Sequence, residues 1–312
     1  MTEVSADDIA VAAERIAPFI HRTPVMRSGT VDRELGTSVF FKAENFQKVG
    51  AFKVRGAINA IRALPATTRG VVTHSSGNHG QALAYAAAVN AIPAWVVMPE
   101  DASEVKRSAV RGYGAQVVPC HLAERQAVAS RVVNETGATF IHPFDDPRVI
   151  AGQGTAAHEL LEDVPGLDVL LTPIGGGGLL AGTAIAGRSV APGISIVGAE
   201  PTAVDDAARS LRSGVRQPGE AEPKTIADGL LTGIGALTFP ILLAAEAEVV
   251  TVTEDSILAA ATFFLTRMKI LVEPSAATVL AALRTEPDRF RGRRVGAVIS
   301  GGNTDLGWLR AR

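Results

Sequence analysis

Residues 70–98 read GVVTHSSGNHGQALAYAAAVNAIPAWVVM. The β-branched run Gly70–Thr73 leads into a small polar turn, Ser75-Ser76-Gly77-Asn78-His79-Gly80, and then into an alanine-rich stretch without charge. Pro93 ends that stretch before a second apolar run, Ala94–Met98. Period, length and breakers make this a strand, a helix starting near Asn78 and another strand. Residues 82–99 carry no charge and approach the length of a bilayer span, but Asn90 and Pro93 interrupt them. A helix followed by a buried strand is expected, not a membrane segment.

The same alternation extends in both directions. Further strands are predicted at Val39–Ala43, Ala115–Pro119, Thr139–Ile141, Val169–Thr172, Ser195–Gly198, Val249–Val252 and Val295–Ile299. Helices begin near Ser103, Glu124 and Leu179, and Ser5 can cap one running to about Phe19, with Asp7 and Asp8 in its first turn. Strands alternating with helices imply right-handed crossovers and parallel sheets. The expected organisation is α/β, with two open twisted lobes. Residues 1–68 and 146–312 would form a larger discontinuous domain, with residues 69–145 inserted as a smaller one. The Gly-, Pro- and Glu-rich loop Ser213–Pro223 should be exposed.

With 312 residues, 47% hydrophobic and 20% charged, the chain can bury a substantial core. A formal charge of −2 supplies no field for nucleic acid or an anionic membrane. Cys120 is the only cysteine, so no intrachain disulfide can form. Together with an acidic start that lacks a leader pattern, this makes a cytoplasmic setting the expectation. The histidines show no metal-ligand spacing, and neither G-x-S-x-G nor C-x-x-C occurs.

Glycine-rich turns at residues 75–80, 175–178 and 300–303 each follow a predicted strand. Ligands of open α/β sheets bind at that carboxyl edge. The segment ENFQKVGAFKVRGA, residues 44–57, adds Lys53 after a small turn and Phe52. A lysine used covalently must be held at a fixed angle and shielded from water. By itself Lys53 reads as one of thirty basic residues, snorkelling from the first turn of an amphipathic helix, and only the motifs elsewhere reverse that reading. The N–H groups of Gly175–Gly178, at a helix start, suit a phosphate monoester. Gly176-x-Gly178-x-x-Ala181, with Glu200 ending the next strand, also matches a dinucleotide fingerprint. A nicotinamide-dependent oxidoreductase therefore stays open on that segment, although it leaves Lys53, Asn78 and Ser300 unexplained.

Taken together and in this order, Lys53, SSGNHG, GGGG and SGGN resemble the pyridoxal-phosphate (PLP) dependent serine/threonine dehydratase and serine racemase family, of fold type II (tryptophan synthase β-like). The resemblance runs over nearly the whole chain. It implies a cofactor in the cleft, held by Lys53 as a Schiff base beside Phe52, with Lys53 later acting as base. Gly175, Gly176, Gly177 and Gly178 would cradle the phosphate, Asn78 would bond the phenolic oxygen, and Ser300 would face the pyridine nitrogen. A serine there leaves the ring neutral, which favours expelling a β-leaving group. Ser75, Ser76, Gly77, Asn78 and His79 would take the substrate carboxylate, and Ser76 would supply a second acid if the chain racemises serine. Glu200, Asp206 and the Val204 carbonyl match a divalent-cation site (Mg2+, or Ca2+ or Mn2+). The alternative is that Asp205 or Asp206 caps the next helix while Glu200 is solvated. The chain stops soon after Asn303, so the regulatory domain of some threonine dehydratases is expected to be absent. The expected activity is elimination from L-threonine or L-serine to a 2-oxo acid and ammonia. Serine racemase is the alternative, and a non-catalytic PLP-binding paralogue is more remote. The expected partners are a small 3-hydroxy amino acid and a second copy in a homodimer, with no nucleic acid or membrane.

Overall fold

The computed structural model of the chain describes residues 4–75, 77–100, 102 and 104–309. Its strands are β1 (Val25–Met26), β2 (Ser38–Ala43), β3 (Val71–His74), β4 (Ala94–Pro99), β5 (Gln116–Cys120), β6 (Thr139–Phe140), β7 (Val169–Pro173), β8 (Ser195–Pro201), β9 (Glu248–Val252) and β10 (Arg294–Ile299). They form two sheets, ordered β1-β2-β10-β7-β8-β9 and β5-β4-β3-β6. Every pairing is parallel except β1 with β2. The short strand β1 lies outside the strands predicted from the sequence.

The β period places alternate residues on opposite faces. Phe41, Leu171, Val197 and Ala297 face one core, with Ala276–Leu283 of the helix Pro274–Thr285. Phe40, Leu170 and Ile196 face another, beneath the helices Pro147–Asp163 and Gly178–Val190. Both faces are covered, so β7 is buried along its whole length. The four-stranded sheet is likewise flanked on both faces. Residues 82–99 form most of the helix Asn78–Val89, then β4. No helix among the described residues is long and apolar enough to cross a membrane.

The strand order brings the distant motifs together. β10, the last strand in sequence, sits between β2 and β7. The chain leaving β2 toward Lys53 therefore runs beside the end of β10, and the glycine loop leaves β7 on the other side. Ala51 bridges Gly301, and the Phe52 N–H donates to the Ser300 carbonyl at 3.0 Å. The helix Lys53–Arg62 departs from the amphipathic expectation: Val54–Ile61 are all buried. It is enclosed by the helices Ala6–Ile16, Asn78–Val89 and Pro147–Asp163. Ser5 does cap the first of these, with a reciprocal bond from its backbone to Asp8.

Candidate active site

Lys53 opens its helix, and its Nζ donates to the Pro143 carbonyl at 2.9 Å. Burial pushes its amine down to about 8, while the negative charge of Glu273 opposes that shift. The Phe52 ring, buried against Leu179 and Val298, lies 5.1 Å from the ammonium. The side chain is thus held by the chain on both sides of its own turn.

Gly175–Gly178 require glycine sterically. A Cβ on Gly176 would lie 2.3 Å from the Phe144 ring, and Gly177 has φ +86°. Among the described residues, the N–H groups of Gly175–Gly178 have no protein acceptor. The loop is braced from behind, because the Gly176 carbonyl accepts from Thr238 Oγ1 at 2.7 Å and from Gly235 N at 3.2 Å. These free donors at a helix start are suited to an anion. Ser300, 3% exposed, directly follows β10, and its hydroxyl has no hydrogen bond among the described residues.

At the end of β3, Asn78 is the first residue of its helix and Gly77 is the N-cap, with no side-chain cap. The Asn78 side chain reaches farther instead: its Nδ2 donates to Glu273, and its Oδ1 accepts from Asn303. Ser75 N donates to Val97 O, and Ser75 Oγ accepts from Gly77 N at 3.2 Å, so both N–H groups are engaged. His79 is buried and both its ring nitrogens lack partners. Burial keeps that ring neutral, so its backbone N–H, not a positive ring, is what it offers to a carboxylate. Ser76 lies outside the described residues, as does the helix start expected at Ser103.

Farther along the sheet edge, Glu200 is the penultimate residue of β8 and is 1% exposed. The solvated reading of Glu200 is overturned: its oxygens accept from Ala207 N and Ala208 N, capping the helix Asp206–Ser213. Neither the Asp205 nor the Asp206 side chain caps that helix, and Asp206 Oδ2 accepts from Ile234 N at 2.8 Å. Burial first, then the neighbouring Asp206 charge, pushes Glu200 up to about 8. Among the described residues no group of three His, Cys, Asp or Glu side chains could hold a metal. A cation here would therefore take two carboxylates and the backbone carbonyl of Val204.

Glu273 and Phe144 went unassigned in the sequence. Glu273 precedes a proline in an ordinary helix-start pattern, and nothing local marks its carboxylate as facing residue 78.

The model of the family described as "Pyridoxal-phosphate dependent enzyme" matches residues 16–301. Serine racemase of Dictyostelium discoideum is 48% identical over 313 residues, spanning 98% of this chain and 97% of that protein. A crystal structure of that racemase superposes with a TM-score of 0.93, covering 97% of this chain and 99% of that one. The beta-hydroxyaspartate dehydratase of Paracoccus denitrificans (strain Pd 1222) is 44% identical over 304 residues, 96% of each chain. A crystal structure of a T.th. threonine deaminase is 44% identical at a TM-score of 0.93, covering 96% of this chain and 99% of that one. A carboxyl-edge lysine, a free N–H cradle for a phosphate and a neutral partner for a ring nitrogen fit such a cofactor. The fold is that of the fold-type II enzymes, and the chain belongs to the family of pyridoxal-phosphate dependent enzymes.

Proposed function

We propose that the chain is a serine racemase with a dehydratase side activity, reversing the order expected from the sequence. The observation that carries this is the near-full-length match to a serine racemase, at 48% identity. Pyridoxal phosphate, when bound, supplies the electron sink that lets an amino acid lose its α-proton. The protein's residues divide the remaining work. Gly175–Gly178 hold the phosphate through backbone N–H groups, Asn78 takes the phenolic oxygen, and Ser300 meets the ring nitrogen without charging it. Lys53 attaches the cofactor and moves the α-proton on one face; its lowered basicity suits a base at neutral to alkaline pH. Ser76 moves the proton on the opposite face. Elimination needs only Lys53 and a route out for the hydroxyl, so both reactions share one site.

Glu200, Asp206 and the Val204 carbonyl are proposed to hold a divalent cation. Two neighbouring buried carboxylates, one pushed up to about 8, support that reading.

The test is to supply L-serine and follow D-serine and pyruvate together. D-serine should form in the wild type and disappear in Ser76→Ala while pyruvate persists. Pyruvate without D-serine from the wild type would return the assignment to dehydratase. The hydroxyaspartate and threonine relatives then supply the substrate panel.

A further inference from the structure

Glu273 has no part in the reading above, yet a directed chain of hydrogen bonds ends on it. The Val49 carbonyl can only accept, so Asn303 Nδ2 faces it at 2.7 Å. The same nitrogen donates to Asn78 Oδ1 at 2.9 Å. That turns Asn78 Nδ2 toward Glu273, 3.0 Å from Oε1 and 2.9 Å from Oε2. One backbone carbonyl thereby sets both amide orientations. Val49 itself has φ 54°, a left-handed conformation that a β-branched residue adopts only under constraint.

The carboxylate is 3% exposed. Glu273 N donates to Gly301 O at 3.0 Å, which fixes the residue against the loop that carries Ser300. Seen from one nitrogen, the two oxygens of a carboxylate lie too close together to take separate amide hydrogens. They share one, and the second Asn78 hydrogen is left without a protein acceptor among the described residues.

We propose that Glu273 is a positioning residue for the cofactor ring: it locks the Asn78 amide with one hydrogen free for the phenolic oxygen. Burial pushes the Glu273 carboxyl up to about 7 against the Asn78 hydrogen bond, with Asp228 raising it and Lys106 lowering it. Lys53 responds to the Glu273 charge in turn. The proposal rests on the pyridoxal-phosphate reading, but not on whether racemisation or elimination dominates.

The test uses apoenzyme reconstituted with pyridoxal phosphate from neutral to alkaline pH, followed by absorbance and by borohydride trapping. Wild type, Glu273→Gln and Glu273→Asp are compared. In Glu273→Gln, the acid limb of cofactor attachment should move to lower pH, because the charge that keeps the proton on Lys53 is gone. Glutamine keeps one neutral acceptor for Asn78, so cofactor affinity should fall roughly fivefold, as when a hydrogen bond to a charged acceptor becomes one to a neutral acceptor. Glu273→Asp keeps the charge on a shorter arm, so it should restore the acid limb but not the affinity. A wild type that takes up cofactor, beside a Glu273→Gln variant with the same acid limb and affinity and only a changed melting temperature, overturns the proposal. A wild type that takes up none overturns the cofactor reading with it.

Discussion

Arg55 and Lys53 stand two residues apart on one helix and meet opposite surroundings. Arg55 has no exposed side-chain surface, and its guanidinium bonds both Glu44 and Glu159 at 2.7–2.9 Å. Lys42, also buried, completes the group at 2.7 Å from Glu159. Arg55 and Lys42 thus face Glu44 and Glu159, with Asp163 3.6 Å from Lys42, joining β2 to the lysine helix and to Pro147–Asp163. Arg55→Met would leave Glu44 buried and unpaired, at a cost of about 3–5 kcal/mol. The double variant Arg55→Met, Glu44→Gln should recover part of that loss in urea unfolding; a single-variant cost under about 1 kcal/mol would make the cluster energetically irrelevant. Lys53→Ala breaks one hydrogen bond, to the Pro143 carbonyl, and the contact with the Phe52 ring. It should leave unfolding nearly unchanged while abolishing borohydride-trapped cofactor, and wild-type product formation by this variant would refute the assignment. In the sequence these two residues are equivalent cations in FKVR. Which becomes reactive is decided by carboxylates at 44 and 159, and no local pattern contains that information.

At the scale of elements, the helix Pro147–Asp163 acts as a spine between the two catalytic helices. A Cβ on Gly152 would lie 2.6 Å from the Arg55 carbonyl, and one on Gly154 would lie 2.9 Å from the Gly182 carbonyl. The lysine helix and the glycine-loop helix each touch this spine at backbone distance. Gly154→Ala should therefore cost about 1–3 kcal/mol through overpacking. It should also weaken cofactor binding, because relief of the clash moves the helix that presents Gly175–Gly178. Calorimetry with and without cofactor checks this, and unchanged affinity beside lowered stability would separate spine from site. The strands were readable because parallel strands buried on both faces are β-branched runs between turns. The site edge was readable because glycine turns ended those runs. The placement of β10 between β2 and β7 was not readable, since a pairing between residues 51 and 301 leaves no trace in either neighbourhood. The lysine helix was misread as amphipathic for a related reason: ion pairs and close-packed glycines let its polar side be buried as well.

At the scale of the whole molecule, stability should depend on pH and on cations through the edge of β8. Glu200 titrates at about 8 in the folded chain, against an ordinary 4.5. Between those values the folded state keeps a proton that the unfolded chain has released, so the Glu200 contribution to stability falls as pH rises. Glu273, raised to about 7, acts in the same direction, whereas Lys53, lowered to about 8, adds stability only above that pH. The bare pH profile therefore mixes several groups, and the difference between wild type and Glu200→Gln isolates one. In chelator, wild type should lose stability relative to Glu200→Gln on going from mildly acidic to mildly alkaline pH. Magnesium should reverse the loss at alkaline pH, where Glu200 and Asp206 are both charged, and do little at acidic pH, where a proton competes. At a hundredfold excess over its dissociation constant, a cation bound only by the folded state adds about 2.7 kcal/mol. Thermal unfolding of both proteins, with chelator and with magnesium, supplies the four curves. A magnesium effect of equal size at both pH values, or one that survives in Glu200→Gln, would place any bound cation elsewhere. No effect in any curve would leave Glu200 as a buried helix cap, held neutral by its proton.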